Sequence, residues 1–125
     1  MDINAETLAA ILDAYPYEVV YVDRTHTVRY MNKAAHTRYD GIVHIGGNLF
    51  SCHNERARVK IEEFLRRADA GEMGEMFEVL NGSTGEREFF VPVRDEKGVV
   101  IGYFERHEMY WTKDDPTAPV ILPKA

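Results

Sequence analysis

Cys52 and His53 stand next to each other immediately before the longest predicted helix, and they form the pair most suggestive of chemistry. Free backbone N–H groups and the positive end of a helix dipole could lower the pKa of a thiol there or bind an anion. Adjacent residues on a helix diverge, however, and no third residue is indicated that would orient a Cys–His pair. We therefore expect a buried cysteine beside a capping or surface histidine, and no enzymatic activity.

A zinc site is poorly supported by the spacing of possible ligands. The chain has one cysteine, so a Cys-x-x-Cys pair cannot form. Four of its five histidines also lack the close spacing of zinc ligands, namely His26, His36, His44 and His53.

The last predicted strand carries two alternating sets of polar side chains. Because successive residues of a strand point to opposite faces, Glu105 and His107 share one face, and Arg106 and Glu108 share the other. An inward Arg106 could bind a small carboxylate through two hydrogen bonds. An inward Glu105–His107 pair would favour a polar or cationic ligand. Alternatively, all four charges could lie outside or pair across strands, and the sequence alone leaves this open.

Hydrophobic periodicity places helices between two groups of strands. The predicted elements are a short helix capped by Asn4, strands at 17–22 and 27–31, a turn or two of helix after Asn32, an irregular connector at 41–52, a long helix at 54–70, and strands at 75–80, 86–93 and 99–111. This order predicts an α+β fold, with a five-stranded antiparallel sheet and helices packed over one face.

The chain has 125 residues, of which 45% are hydrophobic, and a formal net charge of -6. This size favours one domain over residues 1–111 followed by a proline-containing tail at 112–125. The negative charge argues against broad electrostatic binding of nucleic acid or anionic lipid. No apolar run reaches the roughly 20 residues that span a bilayer. One cysteine and no secretory-type N-terminal stretch lead us to expect a cytoplasmic protein.

Three stretches of the sequence resemble the PAS domain family of sensory modules. They are VVYVD at 19–23 continuing to VRYMNKAA at 28–35, IGGNLF at 45–50, and VPVRDEKGVVIG at 91–102. The resemblance spans about residues 5–110, and the predicted order of helices and strands matches that of the family. It implies a five-stranded antiparallel sheet that holds a cavity against its helices, where a small molecule, a cofactor or a partner protein binds.

Aromatic residues and a few polar ones are candidates for the lining of the cavity that this resemblance implies. The aromatic residues could equally fill a solid core. The candidate ligand-binding residues are Tyr21, Tyr30, Phe50, Cys52, His53, Phe64, Phe77, Phe90, Phe104 and Arg106.

The resemblance also makes haem a candidate cofactor, because some PAS domains hold haem through one histidine of the long helix. That position falls near Val59 here, so His53 is the main candidate ligand and His44 the second. A flavin photosensor is less favoured, since Cys52 lies in SCHN and not in an Asn-Cys-Arg motif. The cofactor is therefore left unknown, with a small organic ligand and haem as alternatives.

The resemblance predicts a sensory module that binds a small molecule and passes its signal to a separate effector protein. A second hypothesis is an interaction module without a ligand. In that case the apolar stripe of Leu8, Ile11 and Leu12 on the first helix would pack against a second copy and form a homodimer. The two hypotheses are compatible, because a ligand can bias a dimer. Neither nucleic acid nor a membrane is expected as a partner.

Overall fold

The computed structural model describes residues 2–52, 54–81, 86–109 and 116, with the side chains at 52, 77–81 and 109 left aside. Its elements are α1 (Ala5–Ala14), β1 (Val19–Asp23), β2 (Val28–Met31), α2 (Lys33–Arg38), a 3-10 turn (Leu49–Cys52), α3 (Glu55–Asp69), β3 (Met76–Asn81), β4 (Glu86–Arg94) and β5 (Val100–Met109). The predicted tail at 112–125 lies outside these residues except for Pro116, as do residues 110–111 of the predicted last strand.

The strands form one antiparallel sheet in the order β2-β1-β5-β4-β3. The α+β class predicted from the sequence is confirmed. β5 is the central strand, and its register places Glu105 opposite Val20 of β1 and Phe90 of β4. The last strand therefore lies in the middle of the sheet, between the β1–β2 hairpin and the β3–β4 hairpin.

We call the two sides of the sheet the inner and the outer face. The inner face carries the buried side chains Val20, Val22, Phe90, Tyr103, Glu105 and His107, and the outer face carries Val19, Tyr21, Tyr30, Phe89, Phe104 and Arg106. Gly102 faces the outer side of the sheet, where Tyr21 leaves no room for a side chain. A Cβ atom there would lie 2.6 Å from the Tyr21 hydroxyl oxygen, so glycine fits and a larger residue would force a shift.

The long helix α3 packs on the inner face through Ile61, Phe64, Leu65 and Ala68. Asn54 caps its first turn by accepting a hydrogen bond from the backbone N–H of Ala57. Arg94 of β4 closes the other end by donating to the carbonyl of Ala68 at 2.9 Å. These contacts place the core between α3 and the sheet.

The helix α2 also contributes to the inner side, through fully buried Ala35 and partly buried Tyr39 just beyond its end. The connector after it is irregular, as predicted, and it is tied to β2 by backbone hydrogen bonds. Val28 donates to the carbonyl of Gly47 at 2.9 Å, and Gly46 donates to the carbonyl of Val28 at 2.7 Å. These hydrogen bonds hold the connector beside β2.

The first helix, α1, has no buried residue among its ten. Its Leu12 borders an apolar groove of about 320 Å³ on the outer face, together with Val19, Tyr21, Tyr30 and Phe104. Within the part of the chain that the structure describes, no helix is long and apolar enough to cross a bilayer.

The turn between β1 and β2 is built around the carboxylate of Asp23. Its Oδ1 accepts hydrogen bonds from the backbone N–H groups of Thr25 and Thr27, and its Oδ2 accepts one from Arg29 Nε at 2.7 Å. The hydroxyl of Thr25 also donates to Oδ1 at 2.6 Å. These donors, Thr25 and Arg29 first, hold the pKa of Asp23 far below its usual range.

We expect Asp23→Asn to destabilise the fold by about 1–2 kcal/mol at pH 7, because the charge-assisted bonds to the carboxylate are lost. A lowered folded-state pKa gives stability that is present above the unfolded value of about 3.9 and lost as the pH falls through the folded value. Urea unfolding of the wild type and Asp23→Asn at pH 7, 5 and 3.5 should therefore show a difference in unfolding free energy that becomes smaller at acid pH. A difference in unfolding free energy that stays constant with pH would contradict the role of the charge. The control is Asp40→Asn, on an exposed loop.

Candidate functional site

A cavity of about 90 Å³ lies beneath the inner face, between the sheet and the segment that follows α2. The sheet contributes Val20, Glu88 and Glu105, and the opposite wall consists of Tyr39, Val43 and Leu49. Two carboxylates therefore face into a space that is otherwise lined by apolar and aromatic groups.

Glu105 and His107 reach the inner side because β5 alternates in step with Tyr103. That tyrosine is fully buried against the rings of Phe64 and Phe90, with ring centroids 6.3 and 6.1 Å away. A period of two then turns Glu105 and His107 inward, where they are only 4% and 2% exposed. Of the alternatives that the sequence left open, the structure shows the inward Glu105–His107 pair.

His107 is surrounded by carboxylates from β4 and from the segment before β1. Its Nδ1 lies 3.2 Å from Glu18 Oε2, and its Nε2 lies 3.7 Å from Glu88 Oε1 and 3.9 Å from Glu86 Oε1. Glu88 is the direct cross-strand neighbour of His107, which explains their proximity. We call Glu18, Glu86, Glu88, Glu105 and His107 the acidic cluster.

Arg38 partly balances the negative charge of this cluster. Its Nη1 donates to Glu86 Oε1 at 2.8 Å and to Glu18 Oε1 at 3.2 Å. On the cavity side, burial raises the pKa of the Tyr39 hydroxyl, and the nearby carboxylate of Glu105 raises it further. Tyr39 is therefore a neutral hydrogen-bonding group at physiological pH. The site as a whole is suited to a small ligand that carries positive charge or donates hydrogen bonds.

The residues predicted to line a cavity do not lie together. Phe64 and Phe90 are 1% and 2% exposed and pack against each other in the core. Phe50 lies at another end of the core, where its ring is 4.1 Å from that of His26. His26 in turn shares a 2.9 Å hydrogen bond with the buried hydroxyl of Tyr103. Burial lowers the pKa of the His26 imidazole.

Four of the predicted ligand-binding residues lie on the outer face, so the expectation that they share the inner cavity is corrected. Tyr21, Tyr30 and Phe104 line the apolar groove beside α1. Arg106 is bound by carboxylates of the protein itself, with Nε and Nη2 donating to Glu75 at 3.0 and 2.8 Å and Nη1 pairing with Glu108. The physical reason is the register of β5, which turns Arg106 outward when Tyr103 turns inward.

The remaining predicted residues cannot be placed in the site. His53 and the side chains of Cys52 and Phe77 lie outside the described residues. Phe77 pairs with Phe89 in the backbone register of β3 and β4.

A family model described as the PAS fold matches residues 12–108, which is most of the chain. The chain belongs to the PAS family. Curated proteins, by contrast, give no match.

Several solved structures share the fold of this chain at low sequence identity. A C-terminal domain of a Streptococcus mutans protein is 18% identical with a TM-score of 0.71, over 86% of this chain and 85% of that one. The PAS domain of a Colwellia psychrerythraea protein is 18% identical with a TM-score of 0.61, over 84% and 95%. A sensory box sensor histidine kinase from Vibrio cholerae is 15% identical with a TM-score of 0.56, over 83% and 87%. These likenesses show the shared fold.

The haem alternative depends chiefly on His53, which lies outside the described residues. The inner cavity of about 90 Å³ is well below the roughly 300–1,000 Å³ of pockets for larger ligands. His44 is exposed on the connector, and Val59, near the position where a haem-binding histidine was considered, is 55% exposed on α3. This cavity is therefore too small for haem, and a haem site that uses His53 stays a prediction.

Sequence reasoning missed most of the residues that line the PAS cavity. Tyr39, Val43, Leu49 and Glu88 come from three separate stretches of the chain, and no local spacing links them. One signal was available for Glu88. If the fifth strand is paired antiparallel to the fourth with Glu105 opposite Phe90, then His107 must lie opposite Glu88.

Proposed function

We propose that this PAS domain is a cytoplasmic sensory module that binds a small cationic or hydrogen-bond-donating ligand in its inner cavity and signals to a separate effector protein. The observation that supports this most strongly is the cavity itself, in which Glu88 and Glu105 face apolar walls. A cation or a hydrogen-bond donor placed between these walls would interact favourably with the two carboxylates. The volume of about 90 Å³ limits the ligand to the size of a few water molecules.

Hydrogen bonds connect this cavity to the N-terminal helix. The hydroxyl of Tyr15, at the end of α1, donates to the carbonyl of His107 at 2.9 Å. Asn32 donates to the carbonyl of Leu12 and accepts from the backbone N–H groups of Val19 and Ala35. A ligand that shifts β5 or α2 therefore acts on the position of α1, which we propose as the output element. The name of the Vibrio cholerae sensor histidine kinase is in keeping with a signalling role.

A thermal-shift experiment tests ligand binding with two panels of probes, divalent metal chlorides and small amines such as ethylamine. We expect at least one probe to raise the melting temperature of the wild type by several degrees, because a ligand that binds only the folded state stabilises it. Val43→Phe should fill the cavity and abolish that shift. Ile42→Phe, at the exposed neighbouring position, should retain it.

The proposal fails if no probe stabilises the wild type, or if Val43→Phe responds as strongly as the wild type does. Circular dichroism establishes first that both variants are folded. An absorption spectrum of the purified chain, followed by mass spectrometry of any molecule that denaturation releases, identifies a ligand that copurifies.

A second candidate function, homodimerisation through α1, is favoured by the exposure of its apolar stripe. Leu8, Ile11 and Leu12 are 39%, 55% and 36% exposed, and Leu12 borders the apolar groove of the outer face. A second copy that packs there would bury this surface. This interaction is compatible with ligand sensing, since α1 is also the proposed output element.

We expect Leu8→Asp to weaken dimerisation at least about tenfold, because a charge in an apolar interface loses its hydration. Light scattering over a range of protein concentrations measures the dissociation constant. Ala10→Asp places the same charge on another side of α1 and should leave the dimer intact. A Leu8→Asp protein that dimerises like the wild type would exclude this interface.

A further inference from the structure

His26, in the turn between β1 and β2, has a strained backbone conformation. Its φ is 62°, in the left-handed region that a residue other than glycine adopts only at a cost in energy. Two backbone hydrogen bonds hold it there. Its N–H donates to the carbonyl of Asp23 at 2.9 Å, and its carbonyl accepts from the N–H of Leu49 at 2.8 Å. Since such a conformation persists only where the surrounding contacts fix it, the turn depends on its attachment to the 3-10 turn before α3.

The imidazole of His26 contributes the side-chain contacts of this turn. Its ring centroid lies 4.1 Å from that of Phe50, in the 3-10 turn, and 5.9 Å from that of Tyr103, in β5. Its Nδ1 lies 2.9 Å from the hydroxyl oxygen of Tyr103, whose side chain is fully buried. One side chain thus joins the β1–β2 turn, the central strand of the sheet and the 3-10 turn.

The hydrogen bond between His26 and Tyr103 favours the neutral imidazole. Burial, and then the charge of Glu105, raises the pKa of the Tyr103 hydroxyl, so Tyr103 keeps its proton at physiological pH and needs an acceptor for it. Among the described residues, the hydrogen bond shown for this hydroxyl is the one with His26 Nδ1. A proton added to Nδ1 turns this acceptor into a donor, and the buried hydroxyl then loses the acceptor for its own proton.

The charged groups that face His26 come from α3 and from its own turn. They are Arg58 and Glu62 of α3, and Asp23 and Arg24 of the turn. Each of the four is held in an ion pair at 2.7 to 3.1 Å, in which Arg58 binds Glu62, Arg29 binds Asp23 and Arg24 binds Asp69. The other described groups against the ring are the hydroxyl of Tyr103 and the uncharged ring of Phe50. Burial is therefore the largest effect on His26, and it lowers the pKa of the imidazole.

We propose that His26 is a pH-sensitive switch, which holds the β1–β2 turn against the 3-10 turn when it is neutral and releases it when it is protonated. The imidazolium regains its hydration when it turns to solvent, and the backbone at His26 then leaves the left-handed region. This switch goes beyond the proposed function, because it operates without a ligand. Leu49 also lines the inner cavity, so the release alters one wall of that cavity.

Native-state hydrogen exchange tests the switch at the amide of Leu49, which donates to His26. A histidine whose pKa is lowered by its contacts loses those contacts as the pH falls below the ordinary value of about 6.5. We expect the protection factor of Leu49, corrected for the intrinsic exchange rate, to fall about three- to tenfold between pH 7.5 and 5.5. An ordinary pKa of about 6.5 in the released state sets the upper limit. The amide of Tyr39, bonded to the carbonyl of Ala35 at 2.9 Å, should keep its protection.

His26→Asn is the decisive variant, because asparagine tolerates a positive φ but does not titrate. Its protection at Leu49 should be equal at the two pH values. His36→Asn removes an exposed histidine of α2, so it is the matched control and should respond like the wild type. The proposal is overturned if His26→Asn shows the same fall as the wild type, or if the wild type shows none. It is also overturned if Leu49 and Tyr39 lose protection together, since that would be global unfolding.

Tyr103→Phe keeps the test valid if His26→Asn fails to fold. It removes the hydroxyl that donates to Nδ1, so the imidazole of His26 should be protonated at a higher pH than in the wild type. An NMR titration of the imidazole signals measures the two midpoints, and a role of Tyr103 in packing alone would leave the midpoint of His26 unchanged. An unchanged midpoint in Tyr103→Phe, or a wild-type midpoint at the ordinary value of about 6.5, would contradict the switch.

Discussion

Replacing Asn32 with alanine should lower the free energy of unfolding by about 3–5 kcal/mol. Asn32 is fully buried and uses its whole amide. Its Oδ1 accepts from Val19 N and Ala35 N at 2.9 and 3.0 Å, and its Nδ2 donates to the carbonyls of Leu12 and Tyr17 at 3.0 and 2.9 Å. Alanine would leave these backbone groups without their hydrogen-bond partner. Each buried polar group that loses its partner in this way costs about 1–3 kcal/mol.

Asn54→Ala is the matched control for this prediction. Asn54 also caps a helix, by accepting from Ala57 N at 2.9 Å, but it is exposed and no other hydrogen bond of its side chain is described. Its replacement should cost about 1 kcal/mol, the usual loss of an N-cap. Urea unfolding followed by circular dichroism compares the two variants at pH 7. Equal losses would contradict the role of Asn32 as a link between α1, β1 and α2.

Asn32→Asp refines the test. Aspartate keeps the two accepted hydrogen bonds but cannot donate to the carbonyls of Leu12 and Tyr17, and it places a buried charge beside them. We therefore expect a loss close to that of alanine. If Asn32→Asp were instead as stable as the wild type, the cap of α2 alone would account for the effect.

The helices and the approximate strands could be predicted from the sequence because their signals are local. Asn4, Asn32 and Asn54 each precede a helix as its cap, and the apolar stripe of α3 follows the period of an α-helix. The predicted first strand begins too early, at residue 17, whereas β1 begins at Val19. The carbonyl of Tyr17 is used by Asn32.

The candidate site could not be predicted in the same way, because both faces of β5 carry an aromatic residue and charges. Period-two alternation separates Tyr103, Glu105 and His107 from Phe104 and Arg106 without saying which set is inside. That choice is made by contacts between distant elements, in which Tyr103 packs against Phe64 of α3. Arg106, which was expected to bind a ligand, is therefore outside and paired with Glu75.

The second large effect is expected for Phe64→Ala, which should lower the free energy of unfolding by about 3–5 kcal/mol. Phe64 is 1% exposed, and its ring centroid lies 6.2 Å from that of Phe90 and 6.3 Å from that of Tyr103. Its removal deletes aromatic contacts and leaves a void between α3 and the sheet. Phe104 on the outer face is half-buried, and Phe104→Ala is the control. Its loss of unfolding free energy should be about 1–2 kcal/mol smaller than that of Phe64→Ala.

This comparison decides between a core residue and a cavity-lining residue, the two roles that the sequence left open for Phe64. A side chain that borders empty space has fewer contacts to lose, so its truncation would cost little more than that of Phe104. Phe64 is not among the residues that line the cavity with Glu88 and Glu105. Phe64→Leu should therefore recover most of the lost stability and leave the thermal shift produced by a cavity-binding probe unchanged. A Phe64→Leu protein that is stable but no longer responds to that probe would instead place Phe64 in the ligand site.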